Sequence, residues 1–326
     1  MTEDRTTIHN VDSVGANVIR LVNKSLPCNA LAENIALDNL RADFFPQESD
    51  LYFKTYERPL YYKGQTGREY QVPHHKSIVR TLDDEPHAIG IVGRNYKVLP
   101  MEDLCHHVED TFCRVMTKEQ LDGARTVDET SYYGGTCMRQ YIFPNITEDI
   151  GSRVSKVGFR TVITNGYDGA SPVKFYSGAI DFFCTNGMVS GVYDLIAKKH
   201  TSGLTIPSLT DKLDKSIAIF YTQSSQWKHW VGKEISDDDA RLCFESIPGI
   251  SARRIEQLHR QFQIECMTHG RTVWALYSAA TYYATHAEGD FKVRDTGLDN
   301  RAVTLLNREK QIRSWLNTEQ FERIAA

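Results

Sequence analysis

Neither GxxxxGK[ST] nor GxGxxG occurs in the 326 residues. A chain without such a glycine loop has no backbone cradle for nucleotide phosphates, which argues against an ATP-driven motor or a dinucleotide enzyme. No run of about 18 apolar residues is present. The start, Met1-Thr2-Glu3-Asp4-Arg5, lacks a basic segment leading into an apolar one, so neither a membrane span nor a signal peptide is expected. CxxC is also missing. The seven cysteines, Cys28, Cys105, Cys113, Cys137, Cys184, Cys243 and Cys266, are scattered and odd in number. That pattern argues against a secreted disulfide framework or a zinc knuckle and fits a reducing cytoplasm.

Residue groups that could carry chemistry are sparse. His74-His75 and Cys105-His106-His107 bring possible ligands together in sequence. Neighbours on a strand point to opposite faces, however, and neighbours on a helix diverge by about 100°, so neither group converges on one ion. Cys184 with His200 could be a thiolate and its base, but a cysteine in an apolar run reads first as a small core residue. Asp168 and Asp181 lack an accompanying Glu-x-Lys, and Asp168 is expected to bond its own turn. Asp237-Asp238-Asp239 suits the first turn of a helix. Trp227 and Trp230, three apart on a helix, share a face and are expected in the core. No catalytic residue, metal or cofactor is therefore expected.

The composition, 41% hydrophobic and 25% charged, is that of a globular protein, and 326 residues can bury a core without disulfides. After a polar tail, 11–22 and 30–45 have helix-compatible spacing. From 51 the pattern turns to aromatic and β-branched runs at 51–56, 60–63, 69–80 and 88–92, then strand-like 96–99. Pro100 with Glu102 and Asp103 opens a helix to about 116. A strand pair at 126–143 surrounds Gly134-Gly135, and 144–151 is a connector. Beyond Pro207 the chain reads as helical, at 211–230, from Ser236, at 251–267, 272–287 and 300–324. The expected class is α+β: an N-terminal tail and helices over 1–47, a mostly antiparallel sheet core over 48–205, and a helical region over 206–326.

Two Asn-Gly steps stand out, Asn165-Gly166 and Asn186-Gly187, each between β-prone runs. A type I′ turn needs positive φ at both central residues, so Asn-Gly predicts a hairpin. The first would join 158–164 to 172–176 across 165–169, and the second 179–184 to 188–193 across 185–187. The ordered series Thr164-Asn165-Gly166-Tyr167-Asp168-Gly169-Ala170-Ser171, Cys184-Thr185-Asn186-Gly187-Met188 and Lys199-His200-Thr201 resembles a phage and plasmid-like family, the domain of unknown function 932. Ile91-Val92-Gly93-Arg94-Asn95-Tyr96-Lys97-Val98 and the run 272–281 from Thr272 to Thr281 are similar to its flanking segments. One position departs, Gly166-Tyr167 standing where Ser-His or Ser-Tyr is expected before Asp-Gly. The resemblance implies a mobile-element setting and no particular chemistry.

The net charge of −4 gives no general affinity for polyanions. Yet 151–203 holds six Lys or Arg (Arg153, Lys156, Arg160, Lys174, Lys198, Lys199) against Asp168, Asp181 and Asp194. Tyr132, Tyr133, Phe159, Tyr167, Phe175 and Tyr176 lie among or just before them. Cations that follow phosphates and rings that stack on bases are what a single-strand binder needs. The expectation is a cytoplasmic, non-enzymatic nucleic-acid-binding protein acting on single-stranded DNA in replication, recombination or annealing, with homo-oligomer formation adding strength by multivalency. Lys156, Arg160, Lys174, Lys198, Lys199 and His200 would contact phosphates, Tyr167 and Tyr176 would stack, and Asn165 and Asn186 would shape the turns. The alternatives are that these aromatics are sheet core, that the hairpins dock a host protein, or that the chain is a hydrolase.

Overall fold

The computed structural model describes residues 28–152, 156–182, 186–207, 209–286, 291–293 and 295–326. The helix expected at 11–22 and Cys184 lie outside them. In chain order the elements are α1 Cys28–Phe44, β1 Thr55–Lys63, β2 Glu69–Leu82, β3 Glu85–Gly93, α2 Met101–Val115, α3 Lys118–Leu121, β4 Arg125–Ser131, β5 Thr136–Asp149, β6 Lys156–Gly166, β7 Val173–Asp181 and β8 Asn186–Lys198. Then come α4 Thr210–Gly232, α5 Asp237–Glu245, α6 Ala252–His269, α7 Val273–His286, α8 Arg301–Leu316 and α9 Glu319–Ala325. The fold is α+β, with two antiparallel meanders, β1-β2-β3 and β4-β5-β6-β7-β8.

Local chemistry accounts for most boundaries. Asp83 and Asp84, at φ 50° and 64°, turn β2 into β3, since Asp tolerates the left-handed region that a two-residue hairpin requires. Ser236 accepts from Asp239 N to start α5, and Ser251 accepts from Arg254 N to start α6, which stops at Gly270 with φ 71°. The helix expected over 300–324 is two helices, because Thr318 caps a new start by accepting from Phe321 N. The stretch 96–99 forms no strand, and the connector expected at 144–151 is mostly β5, which bulges between Phe143 and Thr147 and pairs on to Asp149.

The hairpin geometry differs from expectation. Asn165-Gly166 sits inside β6, paired with Cys137 and Thr136, and neither residue has positive φ. The chain reverses over 167–172 instead, where Asp168 Oδ1 accepts from the backbone N–H of Ala170 (2.8 Å) and Ser171 (2.7 Å), as an Asx-turn does. Its other oxygen accepts from the Ser171 hydroxyl at 2.7 Å. The two expected hairpins also share a strand: 173–176 and 179–181 are both β7, which pairs with β6 on one side and β8 on the other.

The five-stranded sheet is covered on both faces. Phe143, Phe159 and Phe175 meet Phe112 of α2 and Phe220 of α4 on one face. Met138, Val162 and Tyr176 meet Ala302 and Leu305 of α8 on the other. Central strand β6 is consequently buried from Val157 through Gly166. Buried ion pairs lie on each side. Arg139 reaches Asp128 at 2.7 Å and Glu109 at 3.2 Å under α2, and Arg160 reaches Glu309 of α8 at 2.7 Å.

The loop after β6 joins this sheet to β1-β2-β3. Tyr167 is buried; its N–H donates to Gly135 O at 2.7 Å, and its hydroxyl accepts from the N–H of Met101, the first residue of α2, at 3.0 Å. Asn165 donates to Leu99 O at 2.7 Å, and Tyr96 donates through its hydroxyl to Gly166 O at 2.6 Å. Strand β3 crosses this loop at Gly90, where a Cβ would overlap the Tyr167 carbonyl and approach the Asp168 backbone. Gly90→Ala is therefore expected to destabilise the protein by about 1–3 kcal/mol, the usual cost of overpacking, read as a lowered urea midpoint; an unchanged midpoint contradicts this contact. His200 stacks on Tyr96 with ring centroids 4.7 Å apart, and its Nδ1 lies 2.9 Å from Lys97 O. Burial holds the His200 imidazole below its ordinary value, as it does His106 and His269. An unfolded histidine takes up its proton near pH 6.5 while the folded one resists. Stability is thus expected to fall as pH drops from 7.5 to 6, with a shallower fall in His200→Gln, both checked by urea unfolding at each pH.

Candidate nucleic-acid interface

The structure separates the residues expected to form one surface. Asn165 and Tyr167 are wholly buried in the loop joint, and Arg160 and Tyr176, also buried, are committed to Glu309, whose Oε2 accepts from the Tyr176 hydroxyl at 3.0 Å. Phe159 and Phe175 are core. None of these groups is open to a base or a phosphate, because a packed sheet interior with α8 across it leaves no approach. His200 is buried beside Tyr96, while the side chain of Asn186 lies outside the described residues. Lys156, Lys198 and Lys199 are exposed and Lys174 is half-buried. They do not form one patch. Lys174 pairs with Thr164 near one end of β6 and Lys156 lies at its other end, which separates them by about 27 Å at roughly 3.4 Å per residue.

A different region combines exposed rings with cations. Beyond Pro59 and Lys76 the residues of the β1-β2 hairpin are nearly all exposed among the described residues. Tyr56, Tyr61, Tyr62 and Tyr70 are 44%, 53%, 57% and 41% exposed. Tyr62 and Tyr70 face each other across the register and stack with centroids 5.4 Å apart. Arg58 lies over Tyr56 and Arg68 over Tyr70, at 5.6 and 5.7 Å, within cation–π range. Residues 54–76 carry Lys54, Arg58, Lys63, Arg68 and Lys76 against Glu57 and Glu69. Glu57 pairs with Lys76 at 2.6 Å and Glu69 with Lys63 at 3.9 Å, which leaves the positive surplus on Lys54, Arg58 and Arg68.

The root of this arm meets the basic end of β8. Arg94 N donates to His74 O at 3.0 Å, and Lys76 Nζ donates to Tyr96 O at 3.0 Å. Lys97 N donates to His200 O at 3.2 Å while the His200 ring contacts Lys97 O. His200 thus pins the end of β8, where Lys198 and Lys199 precede it in sequence, to Lys97 after β3. The arm was legible as strands but not as a site. The signal was present: 54–76 has the same charge surplus of three as 151–203 in half the length, with four tyrosines among the charges. Aromatics that alternate with cations, and not with apolar residues, mark strands without a buried face.

Among the described residues no group of three or more His, Cys, Asp or Glu is placed to hold a metal ion, and no helix is long and apolar enough to cross a membrane. Burial pushes the thiols of Cys105 and Cys243 up to about 12, far from the thiolate a nucleophile requires. Trp227 and Trp230 are buried in the core. No curated protein and no solved structure matches the chain. The family model described as a domain of unknown function, DUF932, matches residues 88–311; the chain belongs to that family, and the matched segment takes in the β6–β7 joint, the five-stranded sheet and the helices up to α8.

Proposed function

We propose that this protein binds single-stranded nucleic acid, DNA in the first place, by laying the strand along the β1-β2 arm and the basic root formed with Lys97, Lys198 and Lys199. The observation that carries the reading is the set of four exposed tyrosines on a hairpin with a cationic surplus. Bases stack on rings for about 1–3 kcal/mol each, irrespective of sequence, and lysines and arginines beside them follow the phosphates. The role is non-enzymatic: holding or annealing strands during the replication or recombination of a phage or plasmid in the cytoplasm, with several copies acting together to raise a modest affinity. A protein partner that adds a strand to the open edge of β1 is the competing reading. Pro59, the bulge beside it and the charges of Arg58 and Lys63 blunt that edge, which weighs against strand addition.

Fluorescence anisotropy with a labelled oligothymidylate at two salt concentrations tests the proposal. Micromolar or tighter binding that weakens with salt is expected. Tyr61→Ala with Tyr62→Ala should weaken it at least tenfold while leaving the unfolding free energy, read by urea, within about 0.5 kcal/mol of wild type, as for exposed positions. Arg58→Glu with Arg68→Glu should weaken binding and flatten the salt dependence, because each lost phosphate contact removes about 0.7 from the logarithmic slope. Lys198→Glu with Lys199→Glu should act in the same direction. Absence of salt-sensitive binding, or full affinity in the folded tyrosine variant, would sink the reading.

A further inference from the structure

The face of the five-stranded sheet that carries α8 holds a second opening, which shares no residue with the arm. A cleft of about 740 Å³ lies between the ends of β4 to β7 and the facing parts of α7 and α8. Val127, Ile142 and Ile180 give it an apolar floor. Arg125, Lys156 and Arg301 stand around it, and Glu129, the one carboxylate among its lining residues, is already paired with Arg301 at 2.8 Å. Arg125 and Lys156 are exposed and make no ion pair among the described residues. The opening is thus apolar below and cationic at its mouth, and its volume is that of a small-ligand site.

One polar group within it is held in a single orientation. Gln140 lines the cleft, and its Oε1 accepts from the Arg160 guanidinium at 2.9 Å. A guanidinium only donates, so the amide atom facing it must be the oxygen and the amide nitrogen is turned away. Arg160 is in turn fixed by Glu309 at 2.7 Å, and Glu309 also accepts from Tyr176 at 3.0 Å. This buried chain leaves the Gln140 NH₂ as a preset donor. Arg160 and Tyr176, unreachable themselves, act as positioning residues for it.

We infer that this cleft binds a nucleoside 5′-phosphate. The flat base rests on Val127, Ile142 and Ile180 and accepts a hydrogen bond from Gln140 Nε2, while the phosphate meets Arg125 and Lys156. The same chemistry is presented by a free mononucleotide and by the phosphorylated 5′ end of a strand. Neither source requires the arm to hold nucleic acid, so this site stands independently of the strand-binding proposal.

Isothermal titration calorimetry on the full chain, with each ribo- and deoxyribonucleoside 5′-monophosphate, inorganic phosphate and a 5′-phosphorylated hexanucleotide, tests it. At least one mononucleotide is expected to bind one to one and at least tenfold tighter than inorganic phosphate; if strand ends are the source, the Arg58→Glu with Arg68→Glu variant is expected to bind the hexamer at least tenfold tighter with its 5′-phosphate than without it. Arg125→Ala with Lys156→Ala, both at exposed positions, should lower that affinity at least tenfold. Gln140→Leu should reduce the preference among bases, and Arg160→Lys should do the same through loss of the fixed amide. Arg58→Glu with Arg68→Glu should leave nucleotide affinity unchanged, which separates failure here from failure of the arm. No binding by any probe at millimolar concentration, binding of phosphate as tight as that of nucleotides, or full affinity in the Arg125 and Lys156 double variant would overturn the site.

Discussion

Much of the molecule depends on the close approach of β3 to the loop that follows β6. Gly90 lets the Tyr167 carbonyl come to a distance that any side chain would forbid, and the Tyr167 hydroxyl, reaching the other way, accepts from the first N–H of α2. That N–H belongs to a helix start, where the intrahelical ladder supplies no acceptor. One tyrosine therefore ties the small sheet, the large sheet and α2 together. Asn165, Tyr96 and Asp168 add hydrogen bonds to the Leu99 carbonyl, the Gly166 carbonyl and the Ser171 N–H around it. The Asn-Gly-Tyr-Asp-Gly run is thus a structural joint whose polar residues are spent on the protein's own backbone.

The same economy governs the large sheet. Covering both faces buries β6 from Val157 to Gly166, and a charged residue in that position needs a partner. Arg160 satisfies this through Glu309, and Arg139 through Asp128 and Glu109. Buried pairs of this kind add little net stability over well-packed apolar residues, but a displaced partner leaves a charge stranded. The Arg160 pair has a second effect, since the orientation it imposes on Gln140 reaches the floor of the cleft.

Function, on this view, lies where the fold leaves groups unspent. Among the described residues the distal β1-β2 hairpin is exposed and carries its rings and cations outward, while hydrogen bonds at its root hold it to Arg94 and Tyr96. The cleft lies elsewhere, on the α8 face, with two cations unpaired among the described residues. The family match covers the body but begins at residue 88, after β1 and β2. The arm is therefore outside the part of the chain that the family model describes.

Much of the architecture was legible in the sequence. Alternation and turn residues placed most strands, Ser236, Ser251 and Gly270 marked helix ends, and the Trp227–Trp230 spacing identified a core face. The error at Asn165-Gly166 has a physical cause: a turn propensity of Asn-Gly is local, and it yields when Asn165 finds a buried carbonyl and Gly166 a ladder partner. Arg160 and Tyr176, expected at the surface, are buried for a related reason. Arginine and tyrosine have the same composition signature whether they face solvent or are buried with a partner, and the carboxylate that buries Arg160 and Tyr176 lies far along the chain, at Glu309. The sequence by itself determined most of the secondary structure, the α+β class, the family and the absence of familiar phosphate-binding loops, because these depend on local pattern. Which aromatics and cations remain open to a ligand was decided only by the tertiary structure, since exposure depends on what packs across a strand from distant parts of the chain.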